Sequence, residues 1–324
     1  MRRTVFIGLI VLLAATPSFG QRLLSRWVAP NVPFLLVNPQ SGATTTFGPT
    51  LAPAFTYPFL EAFDAARQRL YFVSGSGVQL ESFDLRTGNI AVIPGPTRLY
   101  DAVEYDSLTD RIIAVVTMFP VPVVSIDPAS GAATPIATVN TTAIRFGVSA
   151  IDVPGRRFFF LTGNAPDEIT TVNLATQNVT SVPMPSAARA FFEYDPVTGG
   201  VLSAPGSDPN PSIFVIDPAT GSQTVLFTGA WPAAAVPSVS VSAFDPSTRR
   251  LYFVGVDSNT FPFQQTIVTA DLTAQTVVAH DVGPGALSFL ELAPVPVPAM
   301  GGPLLAALGA ALAFIVLYAL RARV

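Results

Sequence analysis

The sequence predicts an all-β fold, a six-bladed β-propeller in which the two ends of the chain share one blade. Three features carry that prediction. The first is a turn phrase that recurs six times: Asn38-Pro-Gln-Ser-Gly42, Asp84-Leu-Arg-Thr-Gly88, Asp127-Pro-Ala-Ser-Gly131, Asn173-Leu-Ala-Thr-Gln177, Asp217-Pro-Ala-Thr-Gly221 and Asp271-Leu-Thr-Ala-Gln275. The copies are 46, 43, 46, 44 and 54 residues apart, each between two apolar strand-like runs. A period of about 45 residues with strand patterning is that of one four-stranded blade per repeat. The second is an interleaved pattern of strand, Asp turn, Arg, strand. It reads Phe63-Asp64-x4-Arg69, Tyr105-Asp106-x4-Arg111, Ile151-Asp152-x4-Arg157 and Phe244-Asp245-x4-Arg250, with Gly200 in the Arg position after Tyr194-Asp195. The third lies at the two ends. Residues 22–48 supply three strands of a unit that lacks its first, and residues 286–292 supply a first strand with nothing after it.

Each unit then builds in a fixed order: strand a, the Asp turn, strand b, a longer loop, strand c, the Asp/Asn-Pro-x-Thr-Gly turn and strand d. Asp and Asn suit these turns because their side chains accept backbone N–H bonds two or three residues on, and Pro at the next position presets φ. The Asp residues are turn formers and not metal ligands, since one recurs in every unit. The composition agrees: 31 Pro and 23 Gly, with only 12% charged residues, suit many short strands joined by turns. Pairing the end strands in one blade removes the open sheet edges that invite aggregation. In register, the turns and the Leu-Tyr-Phe-Val-type strands resemble the YVTN/NHL-like propellers of bacterial surface proteins. The resemblance covers nearly the whole body, residues 21–294, and implies a surface-exposed interaction scaffold.

The ends predict an exported chain. Arg2 and Arg3, the apolar run Val5 to Ala15 and small residues at Ser18 and Gly20 form a secretory signal peptide over 1–20. Residues 303–320 are apolar and uncharged, long enough to span a bilayer, and Arg321 and Arg323 in the tail 321–324 hold that end in the cytoplasm. A transmembrane helix at 303–320 after a signal peptide places the body outside the membrane. With the Pro-rich linker 295–302, this tail resembles the PEP-CTERM and IPTL-CTERM sorting signals, although it lacks their Pro-Glu-Pro or Ile-Pro-Thr-Leu core. That resemblance implies an exosortase-like processing enzyme as a partner.

Catalytic chemistry has little to work with. The chain has no Cys, and all 17 basic residues are Arg, so thiol and lysine chemistry are absent. The single His280 sits in a strand and reads as structural. No P-loop, zinc spacing or Gly-x-Ser-x-Gly occurs. All 21 acids but only 13 arginines lie between the signal peptide and the basic tail, an acidic balance that argues against nucleic acid as partner.

Two candidate sites remain. The b–c and d–a loops lie on the face opposite the two kinds of turn, and so point away from the membrane. They carry Tyr57, Tyr100, Trp231, Phe261 and Phe263 among prolines, rings able to stack on a glycan or anchor a protein partner. Two residues before each Asp turn, or its equivalent, the chain reads Ala62, Glu104, Ala150, Glu193, Ala243 and Glu291. Strand a is innermost, so the three glutamates are expected at one level of the central channel. There they either lock neighbouring blades by accepting backbone N–H bonds or bind Ca²⁺. Six-bladed lactonases hold Ca²⁺ at such a level, which makes a Ca²⁺-dependent hydrolase the alternative to a binding module. A purely structural surface spacer is the third reading.

Overall fold

A computed structural model describes residues 22–26, 33–47, 56–74, 78–95, 98–141, 143–163, 166–185, 189–205, 212–228, 235–257, 264–284, 287 and 290–293. The expected signal peptide, linker, transmembrane helix and basic tail lie outside them. All regular structure in the described residues is β. Six four-stranded antiparallel sheets form the blades.

Blade 1 joins β1 (Arg22–Arg26), β2 (Phe34–Val37) and β3 (Thr44–Phe47) to the last strand, β24 (Glu291–Ala293). Blade 2 holds β4 (Thr56–Asp64), β5 (Arg69–Ser74), β6 (Gln79–Asp84) and β7 (Ile90–Val92). Blade 3 holds β8 (Tyr100–Asp106), β9 (Arg111–Val116), β10 (Val121–Ile126) and β11 (Ala133–Val139). Blade 4 holds β12 (Ile144–Asp152), β13 (Arg157–Thr162), β14 (Glu168–Asn173) and β15 (Val179–Pro183). Blade 5 holds β16 (Glu193–Asp195), β17 (Gly200–Ser203), β18 (Ile213–Ile216) and β19 (Gln223–Phe227). Blade 6 holds β20 (Ala235–Asp245), β21 (Arg250–Asp257), β22 (Gln264–Asp271) and β23 (Thr276–Pro284).

The shared blade is as the sequence predicts: Leu24 pairs with Glu291, Leu23 with Leu292 and Arg22 with Ala293. Among the described residues its first strand pairs over Glu291–Ala293, and part of the expected 286–292 lies outside them.

The core lies between blades. One apolar cluster fills each junction: Phe34, Phe72 and Phe83 between blades 1 and 2, for example, and Phe191, Phe253 and Leu251 between blades 5 and 6. A twisted sheet with two apolar faces can bury both only against neighbours, which is why period-2 strands of this kind close into a ring.

The turns behave as their chemistry requires. Asp64, Asp106, Asp152, Asp195 and Asp245 each accept a backbone N–H inside the a–b turn at 2.9–3.2 Å. All six c–d turns repeat the motif, from Asn38 with Gln40 N–H at 2.9 Å to Asp271 with Thr273 N–H at 3.0 Å.

Superposed on this uniformity is an alternation of period two. Blades 1, 3 and 5 have Pro as the second c–d turn residue; blades 2, 4 and 6 have Leu. The Leu N–H groups of Leu85, Leu174 and Leu272 donate to the carbonyls of Gln68, Arg156 and Arg249 in the a–b turn of the same blade, at 2.8–3.0 Å. Pro has no such donor. Its blades instead press the turn glycine on the blade before. A Cβ on Gly42, Gly131 or Gly221 would meet a carbonyl oxygen of Asp281, Pro94 or Pro183 at 2.1, 1.2 or 2.2 Å.

Gly131 (φ 70°) combines that close approach with a left-handed backbone, whereas Gly199 (φ 70°) has the same backbone with open space around it. The conformational penalty alone is about 1 kcal/mol for an added Cβ. Gly199→Ala is therefore expected to cost about that much and Gly131→Ala distinctly more, measured by denaturant midpoints of the two variants.

Candidate functional site

Strand a of every blade lines the channel, and its residues enclose a cavity of about 320 Å³. Glu104, Glu193 and Glu291 all face it, so the structure brings the predicted ring together. The alternation reappears here. In blades 2, 4 and 6 strand a carries an identical irregularity, in which five residues of β4, β12 and β20 advance against two of the partner strand. The extra residues lie on the side away from the a–b turns. These three bulged strands touch one another across the axis. The cavity runs from the bulge residue Gly147 toward the a–b turns, ending at Ala65, Ile151 and Leu292.

The glutamates come from the other three blades, and Glu104 and Glu193 lean on the next blade round. Ser149 Oγ donates to Glu104 Oε1 at 2.8 Å, and Ser242 Oγ donates to Glu193 Oε1 at 2.8 Å. Blade locking was expected from backbone N–H groups; the donors are instead hydroxyls one position further from the turn. Among the described residues, no three carboxylates or imidazoles stand close enough together to hold one metal ion. Two of the three carboxyls are turned sideways to a serine of the next blade.

No arginine or histidine lines the cavity. Burial therefore pushes the Glu104 carboxyl up to about 8; the Ser149 bond opposes this and the nearby Glu193 charge adds to it. Burial pushes Glu193 up to about 7 against the Ser242 bond. Glu291 rises well above the carboxylate range, again by burial, with the Glu193 and Glu104 charges adding to it. All three shifts favour the protonated carboxyl.

A second belt of contacts lies beneath, at the a–b turns. Arg156 of blade 4 reaches back to Asp106 of blade 3 at 2.6 Å, and Arg249 of blade 6 reaches back to Asp195 of blade 5. Both aspartates are fully buried. Neither latch recurs in kind between blades 1 and 2, where Ala293, Gln68 and Glu61 occupy the positions of the Asp, the Arg and the Ser. In that junction Phe34 and Phe83 stack at 4.0 Å.

The distal-face aromatics fare differently. Trp231, Phe261 and Phe263 lie outside the described residues, and Tyr57 falls in the bulge of β4 with its side chain outside them. Tyr100 is 6% exposed and packs in the cluster between blades 2 and 3, the position of a core ring. Sequence reasoning undervalued the neighbouring b–c hairpin. Met118 and Phe119 are 57% and 62% exposed there, beside Leu99 at 47%, whose carbonyl accepts the Thr117 N–H at 2.9 Å. His280 sits in the outermost strand of blade 6 against the Gly42 turn, far from the channel.

Solved structures share this architecture. A chain of a nidogen/laminin complex matches with a TM-score of 0.65 at 13% identity, covering 85% of this chain and 99% of that one. TolB from Acinetobacter baumannii matches at 0.63 and 13% identity, covering 89% and 71%. A putative TolB from Agrobacterium tumefaciens matches at 0.58 and 10%, covering 83% and 93%. At these identities the likeness is one of fold alone, a β-propeller. No protein-family model matches the chain, and no curated protein matches it in sequence.

The raised carboxyls set a pH dependence. Their folded values lie above the ordinary 4.5, so the stability they contribute is complete below about 4.5 and is lost as pH rises through about 7 and 8. The melting temperature is expected to fall over that window. In the combined Glu104→Gln, Glu193→Gln, Glu291→Gln variant most of that fall should disappear, as read by calorimetry across the pH series.

Proposed function

We propose that this chain is an exported, membrane-tethered surface propeller that binds an extracellular glycan, envelope component or protein through its distal b–c and d–a loops. The observation that carries this reading is the contrast between the two faces. On the turn face, every described turn is closed by an Asp or Asn side chain, and the latches and glycine contacts tie blades together. On the distal face, the b–c hairpin of blade 3 displays Met118, Phe119 and Leu99 side by side. Neighbouring exposed apolar side chains on a rigid scaffold are what a partner-binding surface needs. The signal peptide and apolar tail support the placement of that face away from the membrane, and the nidogen/laminin match supports a propeller of this shape as a binding partner.

Exposed apolar residues occur on both faces, which provides an internal control. The full chain, displayed in a Gram-negative host or purified in detergent, is tested for retention of envelope polysaccharide and envelope protein fractions. Met118→Ser with Phe119→Ser is expected to reduce retention at least tenfold. Leu108→Ser with Val197→Ser, at 66% and 70% exposed positions of the turn face, should leave it unchanged. Equal retention by both double variants would remove the distal-face reading.

A further inference from the structure

The distal face holds a second feature, at the junction of blades 4 and 5. Arg189 lies on the stretch leading into β16 and is held there by backbone pairing, through the bridge to Pro205 and the Ala190 N–H to Ala204 carbonyl bond of 2.9 Å. Only 5% of the residue is exposed. Its guanidinium lies over the Phe214 ring, 5.2 Å from the centroid. Nη2 donates to the Pro185 carbonyl at 3.2 Å. Nε and Nη1 are buried and have no acceptor among the described residues. The acid whose charge acts on it is Asp167, itself buried and engaged by Arg145 at 3.3 Å. Two guanidiniums thus share one carboxylate, in a body with an excess of acids.

A buried guanidinium with two of its three nitrogens unpartnered is a costly arrangement, and an apolar side chain of similar volume would serve packing better. Burial pulls its pKa below the ordinary arginine value, against the field of Asp167. Arginine at this position makes sense where an anion completes it. We propose that Arg189, from within, and the half-exposed Arg145, from the solvent side, take a carboxylate group between them. Nη1 and the second Nη2 hydrogen form a fork that matches the two coplanar oxygens of a carboxylate. The stacked Phe214 fixes the plane of that fork. Asp167 holds Arg145 near by and favours one anionic group over several. An acidic sugar on a glycan carries this group, and the proposal relies on the distal-face reading for the direction of approach.

The test uses the full chain in detergent, with D-glucuronate, acetate and inorganic phosphate as probes at matched ionic strength. Glucuronate and acetate are expected to raise the melting temperature of the wild type saturably, by a few degrees at saturation. Arg189→Met should abolish the rise, while melting without anion at or above the wild-type temperature. Arg145→Gln, a change at a half-exposed position, should weaken the response at least several-fold with the fold intact. No response of the wild type to either carboxylate overturns the proposal, and so does an undiminished response in Arg145→Gln. A phosphate response equal to that of the carboxylates overturns the assignment of carboxylate. If envelope retention fails but the glucuronate shift persists, the surface-binding reading falls and this site stands. If retention survives and the shift is absent, the reverse holds.

Discussion

Each sheet of this protein has two faces to bury and no layer of helices to cover them among the described residues, so the sheets must cover one another. That requirement fixes most of the rest. It puts the apolar clusters at the junctions. It forces the chain to bring Glu291–Ala293 back to Arg22–Leu24, because an open ring would expose one face and one edge. It also makes strand a the wall of a narrow channel, where any polar side chain must find a partner in the next blade. The Glu–Ser and Asp–Arg contacts are responses to that crowding, and the upward shift of the glutamates is its electrostatic counterpart.

The blade count, the shared blade and the Glu ring were legible in the sequence because each rests on local chemistry repeated in register. Asp64 and its equivalents announce turns through a mechanism that needs only two or three following N–H groups. The direction in which Glu104 and Glu193 point was not legible. Serine at Asp minus three in blades 4 and 6 is a common residue in a common place, and nothing local ties Ser149 to a glutamate 45 residues earlier. The same holds for Arg189, whose isolation depends on which side chains fail to reach it.

The bulges escaped for a different reason. Three extra residues in strand a of blades 2, 4 and 6 alter the spacing between turns by less than the natural variation of the loops. They appear only when pairing is known. Once they are seen, the Pro and Leu alternation of the c–d turns falls into line with them, as do the Glu and Ala alternation and the glycine contacts.

That agreement alters what counts as one unit of the ring. The repeating piece is a pair of unlike blades, each fitted to its neighbour by complementary halves: one offers a carboxyl and a close-packed glycine, the other a bulge and a self-tied turn. A blade is therefore equivalent to the second one along and not to the next. Exchanging blade 4 for blade 6 would return nearly every junction to a familiar partner. Exchanging blade 4 for blade 5 would set like halves against like, and a chain that lost a single blade could not close by contraction. The molecule has six blades, but its grammar counts to three.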